Sequence, residues 1–284
     1  MQNAEKSILH FAFCILHSAR VQFLLPLYAF AIGAVVGSFL NVVIHRYPRD
    51  ESIVFPASHC PKCNAPIRAY DNIPILSYIV LAGRCRSCRA PISPRYPLVE
   101  LANALFYLAV FQRTGVALAF IPIAAFVSMT IILIFIDAEI QILPNVITYP
   151  GIVVGFCIGA LPPIASLATS DSLMTSAAGA VIGAGFLLAV ALTYKLIRRI
   201  EGMGLGDVKM MAMVGAALGW EGVLEVMLVG SIVGAVIGVP IALRTEKRMR
   251  YELPFGVFLG YATLIMLFFG HTLSQWWIGL LLPR

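Results

Sequence analysis

Residues 118–136, LAFIPIAAFVSMTIILIFI, contain no charged side chain. A stretch of about 20 apolar residues is long enough to cross the hydrocarbon of a bilayer as an α-helix. Comparable stretches occur at approximately 22–44, 97–112, 146–165, 173–194, 205–220, 222–243 and 254–280. This feature constrains the fold more than any other. In hydrocarbon the backbone must satisfy its own N–H and C=O groups, which leaves helices or closed barrels, and the alternation expected of barrel strands is absent. Composition agrees: 60% of residues are hydrophobic and 12% charged, against about half and about a quarter in soluble domains. The mean hydropathy is +0.90.

The expected fold is an all-α polytopic membrane protein of about eight transmembrane helices, the second and sixth short. Four regions are expected: an N-terminal extension at 1–21, helix one at 22–44, a polar insertion at 45–96 and a helical membrane domain at 97–284. The extension holds a short apolar run that is weak as a span. It reads as a signal-like segment, an interfacial helix or a misassigned start, without a convincing small-residue cleavage site.

The net charge is +6. Its placement argues against nucleic acid as a partner. Arg46, Arg49, Lys62, Arg68, Arg84, Arg86, Arg89 and Arg95 lie in or beside the insertion. Lys195, Arg198 and Arg199 follow helix five, and Arg244, Lys247, Arg248 and Arg250 follow helix seven. In an eight-helix arrangement these loops share one side, and the opposite loops hold little beyond Arg113 and Arg284. The charge is a topology signal that puts this side in the cytoplasm.

The insertion carries Cys60 and Cys63, then Cys85 and Cys88, each pair followed by a similar tail, NAPI and RAPI. Four thiolates so spaced suit a structural zinc ion, with no position left open for catalysis. The competing reading is two disulfides, which a reducing cytoplasm disfavours. The expected form is a small zinc-ribbon-like element. Cys14 and Cys157, in apolar surroundings, read as small packing residues rather than ligands.

Acids within or beside apolar stretches bear on function. Asp137 ends the run IILIFID, and Asp207 follows the glycine-rich GMGLG. Counting crossings puts both at the same membrane boundary. Paired carboxylates resist joint ionisation and share a proton, as aspartic-protease chemistry requires. Gly204 and Gly206 would let the backbone turn sharply and a substrate strand approach. The plain alternatives are that Asp207 caps a helix N-terminus and that Asp137 is an interfacial residue beyond a helix end. Glu139 reads as interfacial, Glu100 as a partner for Arg95, and Glu225 has no functional reading.

The chain resembles the type IV prepilin peptidases, of the GxGD aspartic-protease group. The resemblance rests on GSFLNVVIHRYP at 37–48, both CxxC pairs, ISPRYPLVEL at 92–101, FIDAEIQILPNVITYP at 135–150, GMGLGDVKM at 202–210 and LPFGVFLG at 253–260. It implies an inner-membrane endopeptidase that removes the leader of type IV prepilins or type II secretion pseudopilins at the cytoplasmic face. It further implies N-methylation of the new terminus from S-adenosylmethionine. Asp137 and Asp207 match the family's catalytic pair, and the four cysteines match those of bifunctional members. The chain departs from the pattern at Asn145, where an acid is common, and at Val257, where a proline is common. At Gly83-Arg84 a Gly-Lys associated with methylation is usual; arginine keeps the charge but not the point-like ammonium. No glycine-rich fingerprint locates the methyl donor, which is expected near 45–96, with loop 244–252 as an additional candidate. Outside this family, the acids suit a transporter, or a zinc-binding assembly protein in which they are structural.

Overall fold

The computed structural model describes residues 19–162, 167, 169–199, 204–244 and 254–281. The expected extension therefore falls almost wholly outside the described residues, as does Cys14. Among the described residues there are helices, short 3-10 turns and two isolated β-bridges, with no strand. The chain divides into two compact units. One comprises residues up to Val42 with Ser52–Val116, and the other Val43–Glu51 with Ala117 onward.

The first unit is built on α1 (Ala19–Arg46) and α3 (Arg95–Thr114). Gly33 and Gly37, one helical turn apart, let these helices approach closely. A Cβ on Gly33 would stand 2.8 Å from Ala104 Cα, and one on Gly37 2.8 Å from Glu100 Cα. Small residues at such seams are what membrane helices use where lipid offers no hydrophobic drive to pack. Polar groups close the seam: Asn103 donates to the Gly33 carbonyl at 2.7 Å, and Asn41 to the Tyr96 carbonyl at 2.9 Å. Between the two helices come a 3-10 turn (Ala69–Asn72), the short helix α2 (Leu76–Val80) and two cysteine knuckles.

The second unit holds α4 (Phe120–Ile140), α5 (Asn145–Gly159), α6 (Leu173–Arg198), α7 (Leu205–Arg244) and α8 (Phe255–Leu281). The first half of α7 is its core: Met210, Met211, Met213 and Val214 are fully buried. Backbones touch where side chains are missing. Gly179 of α6 lies on Gly215 of α7, and Gly155 of α5 lies beneath Ala216, at 2.7 Å for a built Cβ.

The sequence predicts a break near residue 221, and α7 is indeed two helices, divided at Gly219 (φ 76°, ψ −177°). That conformation is open essentially to glycine alone. Forty residues in one straight helix would reach about 60 Å, twice the hydrocarbon thickness. The chain instead doubles back, so that Gly230 and Gly234 of the second half pack on Leu259 and Phe258 of α8. The interrupted ladder is capped by the Ser170 N–H, which donates to the Ala217 carbonyl at 2.8 Å. Ser170 Oγ lies 2.7 Å from Thr175 Oγ1, within the Ser172/Thr175 capping box that starts α6. Gly219→Ala is expected to cost about 1–3 kcal/mol, seen as a lower unfolding midpoint in detergent.

Five described helices are long and apolar enough to span a membrane: Leu24–Arg49, Phe120–Ile140, Leu173–Arg198, Leu205–Pro240 and Phe255–Trp276. Asn145–Gly159 is apolar but shorter, and α3, with buried Glu100 and Asn103, is more polar. With α7 counted as two, these are the eight helices read from the sequence. The fourth is shorter than the predicted 146–165, because Pro162 and Pro163 cannot continue a helix; residues 163–165 lie outside those described.

Candidate active site and metal centre

In the second unit, three helix ends meet. Asp137 lies in the last turn of α4 and is 4% exposed. Asp207 lies in the first turn of α7, partly buried, near enough to Asp137 for their charges to interact. The third end is the start of α8. Its Val257 N–H donates to Asp137 Oδ2 at 2.9 Å, and the Gly256 N–H also bonds this carboxylate. Free N–H groups at a helix start are natural donors to an anion.

Leu143, in the link between α4 and α5, is the common wall. A Cβ on Gly206 would stand 2.9 Å from Leu143 Cβ, and one on Gly256 3.1 Å from Leu143 Cδ1. Gly206 is thus held against the α4–α5 link, whereas among the described residues a Cβ on Gly204 would meet only the Gly206 nitrogen, at 3.8 Å. Residues 202 and 203 of the glycine-rich turn lie outside those described.

Gly256 and the Val257 N–H are site features that the residue-by-residue reading did not identify. The available signal was Pro-Phe-Gly immediately before an apolar run. A Cβ on Gly256 would lie 2.9 Å from Asp137 Oδ2 and 3.0 Å from Cγ. Gly256→Ala is therefore expected to displace the Asp137 carboxylate. The displacement is to be read as a lower unfolding midpoint of the full-length protein in detergent.

Other acids have plain structural roles. Glu225 accepts a hydrogen bond from Ser274 at 2.7 Å, tying the second half of α7 to α8. Glu139 is exposed. Glu100, in the first unit, is not held by Arg95. It accepts the Ile75 N–H at 2.7 Å and a bond from Ser38, while the Arg95 guanidinium lies over the Tyr96 ring at 5.4 Å. Asn145 accepts from Lys209 Nζ at 2.6 Å. Cys157 is exposed and apart from the metal-binding cluster.

In the first unit the four cysteines converge, with all ligand atoms within 4.8 Å of one another. Cys60 and Cys88 sulfurs lie 3.8 Å apart, and Cys63 and Cys85 sulfurs 4.0 Å. A tetrahedron with metal–sulfur bonds of about 2.3 Å has edges of about 3.8 Å, so the cluster has the size of a tetrahedral thiolate site. Disulfides, with sulfurs about 2.05 Å apart, are not formed.

The sequence repeat is also structural. His59 bridges to Pro66 and Arg84 to Pro91; Cys60 donates to the Ala65 carbonyl and Cys85 to that of Ala90. Asn64 and Arg89 occupy equivalent left-handed turns. The Lys62 and Cys63 N–H groups bond Cys60 Sγ and pull its thiol down to about 6. At Cys63 the Ala65 N–H favours thiolate. Burial and the hydrogen bonds of Cys88, Cys60 and Cys85 outweigh it and push the thiol up to about 11. A divalent cation bound here would displace the remaining thiol protons.

Arg86, inside the second knuckle, clamps Asp71 at 2.6 Å and lies 5.6 Å over the Tyr70 ring. It holds the Asp71 carboxyl below the ordinary range. Gly83 has a structural reason of its own, a left-handed φ of 65° against the Tyr78 ring. Arg84 sits in the bridge to Pro91.

The chain matches two family descriptions: Bacterial Peptidase A24 N-terminal domain over residues 31–114, and Type IV leader peptidase family over 124–239. It is similar to proteins named prepilin leader peptidase/N-methyltransferase. One, from Burkholderia pseudomallei (strain 1026b), is 39% identical over 86% of this chain and 85% of its own. One from Myxococcus xanthus is 41% identical over 81% and 68%, and one from Pseudomonas aeruginosa 35% identical over 86% and 90%. No solved structure matches the chain. With both cysteine knuckles and both aspartates inside the matched regions, the chain belongs to the type IV leader peptidase family.

Proposed function

We propose that this protein is an aspartic endopeptidase of the inner membrane. It cleaves the leader of type IV prepilins or pseudopilins and methylates the new terminal amine. The observation that carries the reading is the meeting of Asp137 and Asp207 at adjacent helix ends, within reach of each other's charge.

Asp137 and Asp207 share one proton. The ionised carboxylate removes a proton from water as it attacks the scissile carbonyl. The protonated one hydrogen-bonds the carbonyl oxygen and stabilises charge developing there. Proton return to the leaving amine completes cleavage. The Val257 and Gly256 N–H groups fix the Asp137 carboxylate during these steps, and Gly206 keeps the start of α7 close to Leu143. The excess of basic residues in the loops supports a cytoplasmic position for this end of the helices.

The cation suited to Cys60, Cys63, Cys85 and Cys88 is zinc, in a structural role. S-adenosylmethionine, when bound, supplies an electrophilic methyl group. Segment 45–96, with Gly83 and Arg84, is where we place the transfer. Arg84 has the charge to hold the donor's carboxylate; residues 245–252 lie outside those described.

The test is co-expression with a prepilin and mass measurement of the pilin N-terminus. The expected product lacks its leader and carries one added methyl group. An uncut prepilin at normal enzyme level would favour the transport or assembly reading.

A further inference from the structure

The insertion between α1 and α3 is polar in sequence, yet it presents an apolar face. Leu76, Ile79 and Val80, at helical spacing on α2, are 60%, 66% and 77% exposed, and Ile73 beside them is 46% exposed. A solvated loop gains nothing by displaying four aliphatic side chains together. The display is held in place. Ile75 has φ 62°, ψ −51°, costly for a β-branched residue, and its N–H is bonded to buried Glu100 of α3 at 2.7 Å. Ser77 is tied back as well, its hydroxyl donating to the Tyr70 carbonyl at 3.1 Å and accepting the Ile73 N–H at 3.0 Å.

The Glu100 bond ties the start of α2 to the first turns of α3. Glu100 is five residues past Arg95, the first residue of α3, or about 8 Å along the helix axis. Interfacial helices bury their apolar face about 5–10 Å into the headgroup and acyl boundary. On α3 itself, Leu98, Leu101 and Leu105 are exposed at helical spacing as well. Lys62, Arg68, Arg84 and Arg89 elsewhere in the insertion give it an excess of positive charge, which complements anionic headgroups.

We propose that residues 73–80 form an interfacial anchor, which lays Ile73, Leu76, Ile79 and Val80 into the bilayer surface. The anchor binds lipid acyl chains with its apolar face and fixes the insertion at the membrane rather than letting it extend into water. The proposal rests on the membrane fold and not on either enzymatic activity.

The experiment places one tryptophan on this face. In full-length protein with Trp220→Phe, Trp276→Phe and Trp277→Phe, Ile79→Trp is introduced and the protein reconstituted into phosphatidylglycerol-containing vesicles. The expected result is blue-shifted emission, quenched by lipids brominated high on the acyl chain and spared by aqueous iodide. Red-shifted emission quenched by iodide would overturn the anchor, since the face would then meet water. Emission spared by both quenchers would also overturn it, since protein would then cover the face. Val80→Trp, measured in parallel, gives the same readout from the adjacent position should Ile79→Trp fail to fold.

Discussion

Asp137→Asn and Asp207→Asn are each expected to lower leader cleavage by at least about 100-fold, the scale on which a positioned acid or base contributes. Both variants should insert into the membrane at normal levels, because asparagine keeps the size and most hydrogen-bonding capacity of the side chain. At Asp137 the amide oxygen still accepts the Val257 N–H. What is lost is the ability to gain and release a proton. Methyl transfer makes no such demand. It needs a neutral amine held in line with the methyl donor. Asp137→Asn should therefore still transfer labelled methyl groups to pilin supplied without its leader. Prepilin size and label incorporation read the two steps separately. Wild-type cleavage by either variant would remove the dyad, and an unlabelled pilin would show that the two steps share Asp137.

The second large effect concerns the knuckles. One zinc ion per chain is expected by elemental analysis. Cys60→Ser with Cys85→Ser should abolish it, because each knuckle then retains a single thiolate. Structural zinc in small sites binds with about 10–16 kcal/mol at neutral pH, so the variant should lose protease resistance across 58–92 as well as metal. The α1–α3 seam through Gly33 and Gly37 involves none of these residues and should survive. Zinc retained at one equivalent in the double variant would refute the ligand set.

Helix spans were legible because hydrocarbon selects strongly on composition, and each of the eight predicted spans holds a helix, the fourth of them shorter than predicted. The break in α7 was legible to within two residues, since a run from 205 to 243 is too long for one crossing. Its position at Gly219 was not, because the run contains many glycines and only the cap from Ser170 distinguishes this one. The knuckles were legible as a repeat. How the sulfurs meet across it, Cys60 with Cys88 at 3.8 Å and Cys63 with Cys85 at 4.0 Å, depends on how two loops face each other. The meeting of Asp137 with Val257 was hidden for a different reason: the donor is a backbone N–H 120 residues away, and backbone groups leave no mark on residue identity. Glu225 was opaque until Ser274 stood opposite it.

The return at Gly219 settles a matter of parity. Asp207 opens α7 and Gly256 opens α8, and both meet Asp137. Between them the chain must cross the bilayer an even number of times, whichever compartment that end faces. An odd count would strand the start of α8 in the opposite leaflet and leave Asp137 without its Val257 donor. A backbone state that glycine alone adopts freely thus holds the two ends of the site on one side. Sequence changes that straightened α7 would be expected to yield an inverted C-terminal helix rather than a merely softened one.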